Sequence, residues 1–296
     1  MKKLGRCLTA MVTPFKANGD VDYAETKKLA KALLASGNDG LVLAATTGEA
    51  PTLSWDEEMR IFQEVKSAVG DKPTLIAYTG SNSTREAVEN TEKAEKIGVD
   101  ACLSVVPYYN KPNQEGIYQH FKAVAECTSL PVIMYNIPGR VVVEMTPETI
   151  ARLSQIKNII GVKEASGKMD TVAQTISNAR EGFIVWSGND NDTFAIMAMG
   201  GYGVIGVTTH LCGKQYKKMI DLVLEGKIQE AAAIHRKLVP LVNAMFSMPS
   251  PGPIKYALNQ LGFKVGNPRL PLVPPTEKEA EKIMAEVKRQ TIDLKA

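Results

Sequence analysis

Eight short runs rich in valine, isoleucine and leucine, alternating with longer stretches of helical periodicity, constrain this chain more than any other feature. The runs are Cys7 to Val12, Gly40 to Ala45, Thr74 to Tyr78, Ala101 to Val106, Val132 to Asn136, Ile159 to Lys163, Phe183 to Ser187 and Gly203 to Val207. Tyr23 to Ser36, Trp55 to Val69, Thr84 to Ile97 and Gln114 to Cys127 lie between them and are too long, and too polar on one side, to be strands. A strand that is apolar throughout is buried on both faces, as in a parallel sheet sheathed by helices. Similar repeated units leave no obvious edge strand, and no GxGxxG opens the first helix. A closed α/β architecture, the (β/α)8 TIM barrel, is therefore expected over a doubly wound open sheet.

Several helices announce their starts. Ser54 precedes Glu57 and Glu58, Ser83 stands three residues before Glu86, and Thr146 is followed by Pro147 and Glu148. After the eighth unit the chain changes character. Helical stretches at Lys227 to Phe246, Pro253 to Leu261 and Thr276 to Arg289 are separated by prolines at 249, 251, 268, 271, 274 and 275. The expected organisation is a barrel domain over residues 1–225 and a C-terminal helical extension over 226–296, with no internal repeat.

With 35 Lys and Arg against 32 Asp and Glu, and no basic run interleaved with aromatics, nucleic acid is not expected as a partner. No apolar segment has the length to cross a bilayer, and the start lacks a signal-like cleavage site. Cys7, Cys102, Cys127 and Cys212 are scattered, with no CxxC pair, as reduced cysteines of a cytoplasmic protein would be. His120, His210 and His235 lie far apart with no carboxylate at ligand spacing, so no metal site is expected. Neither GxSxG, a P-loop nor HExxH is present.

The active site of such a barrel is built at the C-terminal ends of its strands. The sixth run ends in Lys163. An amine held at an apolar strand end loses hydration of its charged form, its pKa falls, and the free amine becomes a nucleophile able to form a Schiff base with a keto acid. Ala45-Thr46-Thr47-Gly48-Glu49 ends the second run, and its hydroxyls beside a glycine suit a turn that holds a carboxylate. Other runs end in Tyr108-Tyr109, in Tyr135-Asn136-Ile137-Pro138-Gly139-Arg140 and in Ser187-Gly188-Asn189-Asp190. Tyrosine hydroxyls can carry protons, and the planar fork of Arg140 suits a second carboxylate. Each residue also has a structural reading, and a pyridoxal phosphate enzyme could equally use a barrel lysine.

The ordered set Met11-Val12-Thr13-Pro14-Phe15, Thr46-Thr47-Gly48-Glu49, Pro107-Tyr108-Tyr109-Asn110-Lys111-Pro112, Tyr135 to Arg140, Gly161-Val162-Lys163-Glu164-Ala165 and Gly203 to Val207 resembles the dihydrodipicolinate synthase and N-acetylneuraminate lyase superfamily of pyruvate-dependent class I aldolases. Two threonines at 46 and 47, the tyrosine pair and Arg140 look like the synthase branch. That resemblance implies condensation of pyruvate with aspartate 4-semialdehyde in the diaminopimelate route to lysine. It further implies a Schiff base on Lys163, a proton relay of Tyr135, Thr46 and Tyr109, and a keto acid surrounded by Thr47, Gly188 and Ile205. Arg140 would hold the semialdehyde's carboxylate, no cofactor would be needed, and Tyr109 would reach in from a neighbouring subunit of a homotetramer arranged as a dimer of dimers. The alternatives within and beyond the superfamily are a lyase of N-acetylneuraminate or a 2-keto-3-deoxy acid, and a silent ligand-binding barrel.

The chain departs from the pattern in places. Ala45 replaces a common glycine, and Gly139 and Val141 flank Arg140 where Ser or Ala and Thr are frequent. At the site where lysine inhibits some relatives, Asn82, Glu86 and Tyr108 are kept, but Ala50, Pro51, Trp55 and Glu58 stand where inhibited enzymes commonly carry a serine and histidines. Weak or absent lysine feedback is expected.

Overall fold

The structure, a computed structural model, describes residues 2–296. Its strands are β1 (Cys7–Ala10), β2 (Gly40–Leu43), β3 (Thr74–Tyr78), β4 (Ala101–Val105), β5 (Val132–Asn136), β6 (Ile159–Glu164), β7 (Ile184–Ser187) and β8 (Gly203–Gly206). They follow one another in sequence order around a closed barrel. The helices are α1 (Tyr23–Ala35), α2 (Trp55–Val69), α3 (Thr84–Ile97), α4 (Gln114–Glu126), α5 (Pro138–Val141), α6 (Pro147–Ser154), α7 (Met169–Asn178), α8 (Thr193–Ala198), α9 (Thr209–Leu224), α10 (Ile228–Met245), α11 (Gly252–Gln260) and α12 (Glu277–Arg289). The expected (β/α)8 barrel followed by further helices is what the chain forms. Strand residues are buried with two half-buried exceptions, Ile160 and Ile184, in keeping with unalternating apolar runs.

Helix starts follow the signals in the sequence, with one difference. Ser54 and Glu57 form a reciprocal capping box at the head of α2, and Thr146 accepts from the Thr149 N–H with Pro147 in the first turn of α6. Ser83 accepts from the Glu86 N–H, but the Glu86 carboxylate takes the Ser81 hydroxyl at 2.7 Å instead of closing a box. The first strand is shorter than its apolar run because its continuation has another partner: the Val12 N–H donates to His210 Nε2 at 3.2 Å.

Packing divides the chain into two compact units. One comprises Leu75–Ile205 with the N-terminal residues up to Leu4, and the other Gly5–Thr74 with Gly206–Ala296. In the first, β3 to β8 form parallel ladders, with β5 and β6 paired so that Tyr135 lies opposite Lys163 and Asn136 opposite Glu164. In the second, β1 pairs with β2, α1 packs on α2, and α10 packs on α9 and α12. No helix among the described residues is long and apolar enough to cross a membrane.

Candidate active site

Side chains along a strand alternate between faces, so the register of β5 and β6 sends Tyr135 and Lys163 one way and Asn136 and Glu164 the other. Lys163 is 4% exposed, and its Nζ sits 4.2 Å from the centroid of the Tyr135 ring, itself buried. An ammonium over a ring face gains some attraction, but a buried amine cannot recover the hydration it gives up. Burial accordingly lowers the Lys163 pKa to about 7; the Asp190 carboxylate opposes the shift and the Arg140 guanidinium adds to it. Near neutrality a large share of the side chain is therefore the free amine.

Gly188 follows β7 and makes room for this lysine. Its N–H donates to the Glu164 carbonyl at 2.7 Å. A Cβ at that position would lie 3.1 Å from Lys163 Cγ and 2.8 Å from the Ala165 Cβ, so any larger residue crowds the stem of this lysine. Asp190, two residues on, is buried, and Ile205 is buried on β8. Arg140 stands exposed in the short helix α5, near enough for its charge to be felt at Lys163. Val142 caps that helix with φ +73°, a left-handed conformation that costs a β-branched residue on the order of 1–3 kcal/mol. Tyr109, on the loop after β4, also has a positive φ, +71°, and is 90% exposed.

The other unit carries the threonine turn. Thr47 is buried and Thr46 half-buried. Ala44 and Glu49 on either side adopt φ of +49° and +64°, so the chain reverses sharply between them. The Thr13 hydroxyl donates to the Gly48 carbonyl at 2.6 Å, and the Glu49 N–H to the Thr46 carbonyl at 3.1 Å. Behind the turn lies an ion pair that sequence reading gave no role: Lys255 Nζ to Glu49 Oε1 at 2.7 Å, with both side chains out of solvent. Glu49 Oε2 accepts from the Arg269 N–H at 2.8 Å, and Lys255 also donates to the Asn267 carbonyl at 3.1 Å. Burial lowers the Lys255 pKa to about 8, against the opposing pull of Glu49. Both cations stack on the Phe15 ring, at 4.0 and 4.4 Å, and Arg269 grips Glu57 with both terminal nitrogens.

Lys163, Tyr135 and Gly188 thus converge, with Arg140 and Asp190 close enough to act on the amine. The histidines have separate places. His210 Nδ1 lies 2.7 Å from the Val207 carbonyl while Nε2 accepts from Val12, a pattern that a neutral ring satisfies, and burial holds its pKa down to about 4. Among the described residues no cluster of three or more His, Cys, Asp or Glu could hold a metal ion. Asp190 and Glu49 stood inside motifs at strand ends, so position alone could have flagged them; Lys255, in an apolar helix, gave only the signal of a charge among hydrophobes.

An amine poised near neutrality at the end of a parallel barrel strand can add to a ketone, the chemistry of barrel enzymes of the class I aldolase type. Residues 3–290 match the dihydrodipicolinate synthetase family. The chain belongs to that family. It is 60% identical over 294 residues to the 4-hydroxy-tetrahydrodipicolinate synthase of Dehalococcoides mccartyi, covering 99% of each chain, and 50% identical to that of Moorella thermoacetica, covering 96% and 97%. Among solved structures it is similar to a dihydrodipicolinate synthase of Bacillus anthracis, with TM-score 0.95, 43% identity and coverage of 97% and 99%. A lysine-bound dihydrodipicolinate synthase of Cyanidioschyzon merolae gives the same score and identity, with coverage of 97% and 98%.

Proposed function

We propose that Lys163 forms a Schiff base with pyruvate and that the enzyme condenses this keto acid with L-aspartate 4-semialdehyde to give 4-hydroxy-tetrahydrodipicolinate, in the diaminopimelate route to lysine. The observation that carries this reading is the buried amine of Lys163 over Tyr135, with its pKa lowered to about 7. Attack of the amine on the ketone expels water and leaves a protonated imine, an electron sink that lets the pyruvate methyl group lose a proton. The resulting enamine carbon adds to the aldehyde, whose oxygen takes up a proton. The semialdehyde's own amino group then closes on the imine carbon and releases Lys163.

Tyr135, Thr46 and Tyr109 are the proton relay in this reading, and a chain of hydroxyls can move protons to and from oxygen without bulk water. Thr47, Gly188 and Ile205 surround the bound keto acid, and Arg140 takes the second substrate's carboxylate through its planar fork. Tyr109 serves a neighbouring subunit, which its exposure and fixed left-handed backbone support. Assembly is then a homotetramer, a dimer of dimers in which each site borrows a tyrosine. No cofactor enters the chemistry, and the enzyme works in the cytoplasm.

Borohydride added with pyruvate tests the central step. The expected result is a covalent mass gain on the peptide containing Lys163, and labelling elsewhere overturns the assignment. A substrate panel tests the second substrate: aspartate semialdehyde is consumed with pyruvate, whereas cleavage of a sugar keto acid in its place would favour the lyase reading. Because only the free amine attacks, the trapping rate is expected to fall about tenfold per pH unit below the Lys163 pKa and to level off above it. A rate indifferent to pH from 5 to 8 contradicts a neutral nucleophile. Lysine feedback is expected to be weak or absent, since Trp55 and a buried Glu58, whose pKa burial lifts to about 9, occupy the corresponding positions. Inhibition at low lysine concentration in a coupled assay counts against this.

A further inference from the structure

We infer that Asn136 and Glu164 are positioning residues for the second substrate: their buried side-chain pair fastens the segment carrying Arg140 to the strand carrying Lys163. The inference rests on the reading of Arg140 as the carboxylate clamp. Asn136 directly follows Tyr135, Glu164 directly follows Lys163, and both are fully buried. Asn136 Nδ2 donates to Glu164 Oε2 at 2.9 Å, and the other Glu164 oxygen accepts from the Ser166 N–H at 2.7 Å. The Met145 N–H donates to Asn136 Oδ1 at 3.0 Å, while Asn136 Nδ2 also lies 3.4 Å from the Met145 carbonyl. One amide therefore holds β6 on one side and the returning end of the loop on the other.

That loop runs from Ile137 to Glu144 and contains Arg140. Its near end is fixed because Asn136 belongs to β5, and its far end is fixed at Met145 by the same residue's side chain. Between these anchors sits Val142, exposed and left-handed, a conformation that persists only when its surroundings over-determine it. Gln114 Nε2 donates to the Glu144 carbonyl at 2.8 Å and Lys168 pairs with the Glu144 carboxylate at 2.5 Å. These outer ties keep the segment on the protein but do not reach β6. Among the described residues the Asn136 side-chain amide hydrogen-bonds both the loop's far end and β6, so its loss should shift Arg140 relative to Lys163 without unfolding the loop. A misplacement of about 1 Å remote from the chemistry can cost on the order of 100-fold.

The donor and acceptor roles of the pair can be exchanged. Asn136→Asp sets acceptor against acceptor, and Glu164→Gln leaves one glutamine oxygen for two donors, Ser166 N–H and Asn136 Nδ2; each weakens the pair. Together they rebuild the bond to β6 with the glutamine amide donating to the new carboxylate, which still accepts from the Met145 N–H and gives up only the long 3.4 Å contact with the Met145 carbonyl. The expected result for either single variant is a rise of about tenfold or more in KM for aspartate semialdehyde, with KM for pyruvate and borohydride trapping by pyruvate within about twofold of the unsubstituted enzyme. The double variant returns the semialdehyde KM to within about threefold. A general structural role moves both substrates together, so an equal change in both KM values overturns the proposal, as does a double variant no better than the singles. Arg140→Ala separates the two layers. If it leaves the semialdehyde KM unmoved, the clamp reading fails and the inference with it; if it raises that KM and neither single variant does, positioning alone fails. Should one single variant not fold, the other carries the same comparison.

Discussion

Lys163→Met is expected to remove condensation by at least about three orders of magnitude and, at neutral pH, to make the protein more stable. The first result follows from losing the nitrogen proposed to become the imine. The second follows from the direction of the pKa shift. In the unfolded chain this amine keeps its proton to about pH 10.5, whereas burial in the native state lowers its pKa to about 7. Between these values the unfolded state binds the extra proton, so this group's contribution to stability rises with pH through that window and stands at its full cost below it. A shift of this size corresponds to roughly 4–5 kcal/mol, of which about 2–4 should be regained by a methionine of similar length, since Asp190 loses an attractive neighbour. Thermal melts at pH 6 and pH 10 check both halves. The variant should melt above the parent at the lower pH, and the gap should narrow at the higher. A variant that still turns over, or that is less stable at pH 6, contradicts the account.

Lys255→Met is expected to cost about 3–5 kcal/mol of stability, because it leaves the Glu49 carboxylate buried without its cation. For a chain of this size each kcal/mol is worth about 2–4 °C, so a melting temperature lower by roughly 10 °C is anticipated. On the proposed role of Thr47, KM for pyruvate should rise too, since the Glu49 N–H closes the turn of Thr46, Thr47 and Gly48. Glu49→Leu combined with Lys255→Met should recover more than half of the stability, because replacing both charges with apolar groups removes the desolvation cost along with the attraction. A single variant that melts within a degree of the parent would show the pair to be energetically idle.

Much of this architecture is legible in the sequence. Runs without alternation marked the strands, and Trp55–Val69 and Thr84–Ile97 follow the predicted stretches to the residue, because caps and apolar spacing are local signals. Lys163 and Tyr135 stood at the ends of adjacent runs, where a parallel barrel gathers reactive groups. What escaped reading depends on partners remote in sequence. Glu49 and Lys255 are 206 residues apart, and no periodicity links them. The Asn136 amide was visible only as part of a motif; that it spans β6 and Met145 follows from register and loop return, which composition does not encode. The change of character near residue 225 was plain, yet composition says nothing about which strands the later helices pack with, and in the structure they cluster with β1, α1, β2 and α2.

The buried pair of Glu49 and Lys255 also orders events in time. A growing polypeptide delivers the carboxylate long before the ammonium, and at about 5–20 residues per second the intervening 206 residues take roughly 10–40 seconds to translate. Throughout that interval the glutamate lacks its Lys255 partner and stays hydrated. That pair closes only once α11, which carries Lys255, has emerged and folded back onto the turn.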